Sequence, residues 1–266
     1  MRLLAIIGDP VSHSLSPLLH NSAIAALGLN PAVYTRLHLT DGSRLKNAFF
    51  NHGLYGANVT VPHKEAAFRA CDRLCALSER IGAVNTLLIE EGRLSGYNTD
   101  APGFMASISA FKRPKRTLIL GAGGTARAIA AVMAQQNYSV TVLNRSADRL
   151  TAFERFGVAR ATWADWPQGP FDMVINTTSA GLQDESLPLP AEQLEHYLAS
   201  AQVAIEVIYG KKTPFLKQAE AAGLQTQDGL SMLIHQAALA FKHFFPGQDP
   251  AQVSTLMYQA IKRLAP

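Results

Sequence analysis

The chain has 266 residues, 48% of them apolar and 17% charged, with a formal net charge of +4. That is enough chain for one large domain or two smaller ones with a well-buried core, since domains usually run about 100–200 residues. The charge is modest and spread along the chain. It does not argue for nucleic acid and is compatible with an anionic small substrate or a phosphorylated cofactor. No apolar run approaches the roughly 20 residues of a membrane span. Asp9 and Pro10 stop the first apolar run too early for a signal peptide. The expectation is a cytoplasmic protein that engages neither nucleic acid nor membrane.

In chain order, Arg2–Ile7 reads as a buried strand, and Ser16-Pro17 as an N-cap and N1 pair opening a helix to about Leu27. Ala32–Leu39 is strand-like, and Ser43–Phe50 is helix-like with Gly53 as its stop. Gly56–Val61 reads as a strand ending at Pro62. Lys64–Arg80 covers one or two helices, and Cys71 and Cys75 fall inside this helical stretch as reduced, partly buried thiols. Thr86–Ile89 and Arg93–Tyr97 flank Glu90-Glu91-Gly92, a tight turn between strands. A helix is expected from Ala101 to Phe111, near a domain boundary at about residue 101.

A βαβ pattern then begins: strand Arg116–Leu120, turn Gly121–Gly124, helix Thr125–Gln136, strand Ser139–Leu143. Met173–Ile175 and Val203–Val207 are further strands with helices between. Helices over about Leu230–Phe244 and Ala251–Leu264 close the chain. The fold class is therefore α/β in two domains: an N-terminal α/β domain and a Rossmann-type domain with a parallel sheet.

Gly121-Ala122-Gly123-Gly124-Thr125-Ala126 fits G-x-G-x-x-A between a strand and a helix, where a dinucleotide pyrophosphate needs it. Gly121 permits the tight turn, Gly123 lets phosphate approach the backbone, and Ala126 keeps helix and strand close. Gly124 ends the turn and Thr125 opens the helix, whose N-terminus offers free N–H groups to an anion. The next strand ends in Asn144-Arg145-Ser146, with Arg149 one turn on. An NAD site typically places an acidic residue at this strand end; here two guanidiniums and a hydroxyl suit a 2′-phosphate, hence NADP.

In the first half, Ser14 and Ser16 lie two residues apart at a helix start. They form either a carboxylate cradle or a simple N-cap by Ser16, and the residues alone do not divide these. Asn58 and Thr60 share one face of a strand, and Lys64 starts the next helix. With Asn85, Asn98 and Asp100 they gather amides, a hydroxyl, an amine and a carboxylate near strand ends. That set suits a ligand with several hydroxyls, and a Lys–Asp pair suits proton transfer to one of them. His63, beside Lys64, either touches this site or is a surface imidazole. No histidine cluster suggests a metal.

GDPVSHSLSP (8–17), GANVTVPHK (56–64), GAVNT (82–86), YNTD (97–100), GAGGTARA (121–128), NRS (144–146), NTTSAG (176–181) and GLSMLIHQAALAF (229–241) together resemble the shikimate dehydrogenase family over nearly the whole chain. The resemblance implies reversible NADPH-dependent reduction of 3-dehydroshikimate to shikimate in aromatic amino-acid biosynthesis. It implies that Ser14 and Ser16 hold the substrate carboxylate, with Tyr209 helping. Thr60, Asn85 and Gln236 would line the ring with Lys64 and Asp100, the last two as acid/base pair. Asn144, Arg145 and Arg149 would meet the 2′-phosphate, with Ser146 beside them, and Met232 would flank the nicotinamide. Residues 1–101 would form the substrate domain, with helix 237–266 packing back on it, and 102–236 the NADP-binding domain. A monomer or homodimer is expected.

Three departures from the family pattern stand out: Glu206 where Asp is usual, a Tyr209–Thr213 loop one residue short, and Ser231 in place of a common glycine. Competing readings are an NAD-using quinate/shikimate dehydrogenase, a catalytically silent binding module and a folate-type dehydrogenase. Arg145 argues against the first, Lys64 and Asp100 against the second, and the Ser14/Ser16 pair against the third.

Overall fold

The computed structural model describes residues 1–263. In chain order the elements are β1 (Arg2–Gly8), α1 (Ser16–Ala26), β2 (Ala32–His38), α2 (Leu45–Asn51), β3 (Gly56–Val59), α3 (Lys64–Ala70), β4 (Arg73–Leu74), α4 (Ala76–Ile81), β5 (Thr86–Glu90), β6 (Arg93–Tyr97) and α5 (Asp100–Ser107). They continue as β7 (Arg116–Leu120), α6 (Gly124–Gln135), β8 (Ser139–Asn144), β9 (Ala159–Thr162), β10 (Met173–Asn176), α7 (Ala191–Ser200), β11 (Val203–Glu206), α8 (Pro214–Ala221), β12 (Gln225–Gln227), α9 (Leu230–Phe244) and α10 (Pro250–Lys262). Short 3₁₀ segments cover Gly42–Arg44 and Asp148–Phe156. Leu264, where the last helix was expected to end, lies outside the described residues. Among the described residues no helix is long and apolar enough to cross a membrane.

The chain divides into two compact units. One comprises Met1–Gly103 with Ile234–Pro266, the other Phe104–Leu233. The first unit carries a six-stranded mixed sheet in the order β2-β1-β3-β5-β6-β4. β1 pairs in parallel with β2 and β3, while β3, β5 and β6 run antiparallel in turn. The β5–β6 hairpin closes through Glu91 and Gly92 at φ 51° and 74°, the paired left-handed positions that match the twist of the flanking strands. Ala5, Ile7, Phe49, Ala57, Val59, Leu87 and Leu94 form one core of this unit. Each fully buried large side chain contributes about 1.5–3 kcal/mol. On the other side α10 packs against α1. His20 of α1 stacks on Tyr34 of β2 with ring centres 4.2 Å apart and lies over Phe241 of α9 at 5.8 Å.

The second unit has six strands, all parallel, in the order β12-β11-β10-β7-β8-β9. Counted from β7, this is the doubly wound 3-2-1-4-5-6 order, with its switch point between β7 and β10. Leu118, Leu120, Val174, Ala204, Phe171, Tyr197 and Phe215 lie in its core.

Several local expectations need correction. Of the one or two helices expected over Lys64–Arg80 there are two, α3 and α4, but the unexpected two-residue strand β4 separates them and pairs with β6. Cys71 and Cys75 therefore lie at helix caps, not inside a helix. Burial pushes the Cys71 thiol up to about 12, which keeps it protonated. Ser16 is the first residue of α1 and not its cap. Leu15 occupies the cap, and the Ser14 hydroxyl accepts from Ser16 N–H at 3.2 Å. The helix expected over 101–111 ends at Ser107, whose hydroxyl donates back to Phe104 O at 2.7 Å.

Candidate active site

The register of the first sheet brings its functional residues to one edge. β1 and β3 are parallel neighbours, so the segments after Gly8 and Val59 emerge side by side. Asn58 pairs with Thr86 and Thr86 with Tyr97 across antiparallel ladders, so β5 begins and β6 ends at that same edge. Ser14, Ser16, Thr60, Lys64, Asn85 and Asp100 all sit on these connections.

Lys64 opens α3 and Asp100 opens α5. The Lys64 ammonium donates to Asp100 Oδ2 at 2.6 Å, with the two side chains 12% and 7% exposed. Asn85 is the hub of the arrangement. Its Nδ2 donates to Asp100 Oδ1 and Thr99 Oγ1, each at 2.9 Å, and reaches Gln236 Oε1 at 3.3 Å. Its Oδ1 accepts from Thr99 N–H at 2.8 Å. These bonds hold Asp100 in one orientation, so the ammonium it pairs with is held too. Gln236 comes from α9, which approaches α5 closely because residue 103 is glycine. A Cβ there would lie 2.7 Å from both Gln236 N and Gln236 Cβ.

Ser14 and Ser16 are buried. The Arg36 guanidinium donates to Ser14 O at 2.7 Å and pins the turn. The buried Tyr34 hydroxyl donates to Asn58 Oδ1 at 2.7 Å. Asn58 Nδ2 donates to Thr86 Oγ1 at 3.1 Å. A chain of hydrogen bonds thus runs from Tyr34 on β2 to the start of β5. Thr60 follows β3 and donates its N–H to Ile7 O at 2.9 Å.

Two sequence expectations fail at this edge. Asn98 does not join the Asn85 cluster: its amide donates to Ala83 O and accepts from Ala101 N–H, which spends it on the turn into α5. His63 is neither at the surface nor in the cluster. It is buried, with Nε2 against Leu39 O. Sequence reasoning also passed over Tyr34, Thr99 and Gly103. A lone glycine inside a helical stretch is the one signal that marked Gly103 for close packing.

In the second unit Gly121 follows β7 with φ 100°, and a Cβ there would lie 2.8 Å from Thr177 Oγ1. Thr177 itself bonds Leu120 O through its hydroxyl at 2.6 Å, which seals the switch point. Gly123 caps α6, and a Cβ on it would meet nothing within 4 Å, so its backbone faces open space. Gly124 and Thr125 are the first residues of α6, and Ala126 is fully buried. This is the geometry of an anion site: a glycine turn, a bare backbone and a helix N-terminus.

Asn144 ends β8 and donates to Ser146 O at 2.8 Å, which folds the chain into an exposed turn. Arg145 and Arg149 are exposed. Tyr209 lies in the loop after β11, and Met232 is buried in the first turn of α9. Among the described residues no three His, Cys, Asp or Glu side chains gather to hold a metal.

Comparison with known proteins agrees with this geometry. Residues 6–87 match the family described as the shikimate dehydrogenase substrate binding domain. The chain is 43% identical over 242 residues to a Helicobacter hepaticus protein named shikimate dehydrogenase (NADP(+)), covering 90% of each. A crystal structure of shikimate 5-dehydrogenase from Thermus thermophilus in complex with NADP(H) and shikimate is similar with a TM-score of 0.83 and 36% identity, over 98% of this chain and 100% of that one. Shikimate dehydrogenase from Aquifex aeolicus gives a TM-score of 0.86 at 32% identity, over 98% of both chains. With these likenesses spanning almost its full length, the chain belongs to the shikimate dehydrogenase family.

Proposed function

We propose that the protein catalyses the reversible NADPH-dependent reduction of 3-dehydroshikimate to shikimate. The observation that carries this reading is the buried Lys64–Asp100 pair, held in register by Asn85 and Gln236. An ammonium that is oriented by a carboxylate and shielded from water can donate a proton at a developing alkoxide.

NADPH, when bound, supplies the hydride to the C3 carbonyl carbon of the substrate. Lys64 then gives its proton to the C3 oxygen and becomes a neutral amine. Asp100 keeps its negative charge, orients the amine and accepts a hydrogen bond from a neighbouring substrate hydroxyl. Ser14 and Ser16 donate to the substrate carboxylate, with Tyr209 as a further donor. Thr60, Asn85 and Gln236 line the ring. In the reverse direction neutral Lys64 takes the proton from the C3 hydroxyl.

The residues of the second unit fit NADP. Gly121, Gly123, Gly124, Thr125 and Ala126 would receive the pyrophosphate on the N-terminus of α6. Asn144, Arg145, Ser146 and Arg149 would receive the 2′-phosphate, and the exposure of both guanidiniums supports this. Met232 would lie beside the nicotinamide. Residues 1–101, with residues 237–266, would serve as the substrate domain and 102–236 as the NADP domain. We place the enzyme in the cytoplasm, acting on a small molecule as a monomer or homodimer, without nucleic acid or membrane.

Calorimetric titration tests the binding half of this proposal. Saturable binding of NADP and of shikimate, each at about one per chain, is expected. Failure of shikimate to bind folded protein at millimolar concentration would overturn it.

A further inference from the structure

Glu206 is a fully buried carboxylate at the carboxyl end of β11. Its Oε2 accepts from Asn176 Nδ2 at 2.8 Å and from the Thr213 hydroxyl at 3.0 Å, and its Oε1 accepts from Ile208 N–H at 3.1 Å. One side chain therefore ties the end of β10, the turn after β11 and the cap of α8. The groups that act on it are Asn176, Thr213 and the backbone of Val207 and Ile208, all uncharged.

Each of these donors is committed. Thr213 Oγ1 already accepts from Leu216 N–H at 3.3 Å, so its single proton goes to Glu206. Asn176 Oδ1 accepts from Thr178 N–H at 3.0 Å and from the Thr178 hydroxyl at 2.8 Å, so its NH₂ faces Glu206. A protonated Glu206 would meet amide N–H groups that can only donate and one hydroxyl, Thr213, that could accept its O–H only by turning its own proton away from Glu206, so at least one of the three ties would break.

The tied segment is confined on its other flanks. Ile208 O accepts from Gly229 N–H at 3.0 Å, and a Cβ at Gly229 would lie 2.1 Å from Val207 O. A Cβ at Gly181 would lie 2.8 Å from Pro214 Cδ. All of these segments gather at the carboxyl ends of β10, β11 and β12, within one unit. A dinucleotide on such a sheet crosses the switch point, with its adenosine end toward β8 and its other end toward β10 and β11.

We propose that Glu206 is a positioning residue for the cofactor. As an anion it ties the 176–181 and 207–213 loops into the surface that receives the nicotinamide end of NADP, and protonation releases that tie. Burial pushes the carboxyl up to about 7, so the release falls near neutral pH. The proposal rests on the NADP reading above, and its test separates the two.

The test pairs steady-state kinetics with hydrogen exchange of the peptide over 207–213 in ligand-free protein, both from about pH 8 to about pH 6. Wild type should show the KM for NADP rising about tenfold across this range, as expected for one group titrating near neutrality. Its kcat and its KM for shikimate should change little. Glu206→Gln should have a raised KM for NADP with no such pH dependence, while Glu206→Asp should keep the acid-sensitive KM. Protection of 207–213 in wild type should fall as the pH is lowered. An unchanged KM slope in Glu206→Gln would overturn the proposal. If Glu206→Gln does not fold, the wild-type exchange series decides, and pH-independent protection overturns the proposal. Loop protection that follows pH without any turnover of shikimate and NADP would refute the cofactor reading alone.

Discussion

Deleting the Lys64 ammonium separates a role in the transition state from a role in substrate binding. Lys64→Met keeps most of the apolar stem and removes the nitrogen that lies 2.6 Å from Asp100 Oδ2. Loss of a positioned general acid costs about 10²–10⁴ in kcat, or about 3–5 kcal/mol of barrier. Shikimate should bind nearly as before, with KM changed by less than about threefold, because Ser14, Ser16, Thr60 and Asn85 are untouched. The same change leaves a carboxylate only 7% exposed without its cation. Removing one partner of such a pair costs about 3 kcal/mol, at the low end of the range because the site must open to ligand. Adding Asp100→Asn removes the stranded charge, so the double variant should melt above Lys64→Met. The assay is initial-rate kinetics at saturating NADP, together with thermal melts of the four proteins. A normal kcat with a large rise in KM would refute the acid role. A double variant that melts lower by the sum of the single effects would refute the stranded-charge argument.

Arg145→Ala should raise the KM for NADP about tenfold or more and that for NAD by less than about threefold, and equal losses would sink the phosphate assignment. Gly103→Ala should cost about 1–3 kcal/mol in denaturant melts and raise the KM for shikimate, since its Cβ would press on the Gln236 backbone. An unchanged melt would contradict that packing. Burial lowers the His20 pKa to about 3, and among the described residues neither ring nitrogen has a partner. Its folded pKa lies below its unfolded one, so its contribution is intact above about pH 6.5 and is lost as pH falls below that. At about pH 5 the loss is about 2 kcal/mol, and His20→Phe, which keeps the stack on Tyr34, should remove it. An identical acid dependence of urea melts for both proteins would refute this.

The sequence was most legible where local chemistry and tertiary context agree. G-x-G-x-x-A between β7 and α6 marks a parallel α/β unit because the turn, the helix start and the close packing each require a particular residue. The glutamate–glutamate–glycine turn gives the β5–β6 hairpin for the same reason. The short strands were not legible. β4 has two residues, and β12 reads Gln225-Thr226-Gln227, with no apolar alternation to betray it. Such strands exist because a neighbour offers a free edge, which no window of sequence reports. The Ser14/Ser16 pair carried a capping signal, yet the helix begins at Ser16 and the Ser14 hydroxyl accepts from the Ser16 N–H. Asn98 and Asn85 look alike in sequence. Only the fold shows that one is spent on backbone and the other organises Asp100. Glu206 reads as a small departure from the family pattern, and its role as a tie between three segments depends on strands that are far apart in the chain.

The most direct test of the account is turnover by the purified protein, followed through the absorbance of reduced nicotinamide, with shikimate or quinate and with NADP or NAD in all four pairings. The account predicts fast turnover with shikimate and NADP, and a much lower kcat/KM in the other three. Equal or better turnover with quinate or with NAD, or none in any pairing from folded protein, would contradict it.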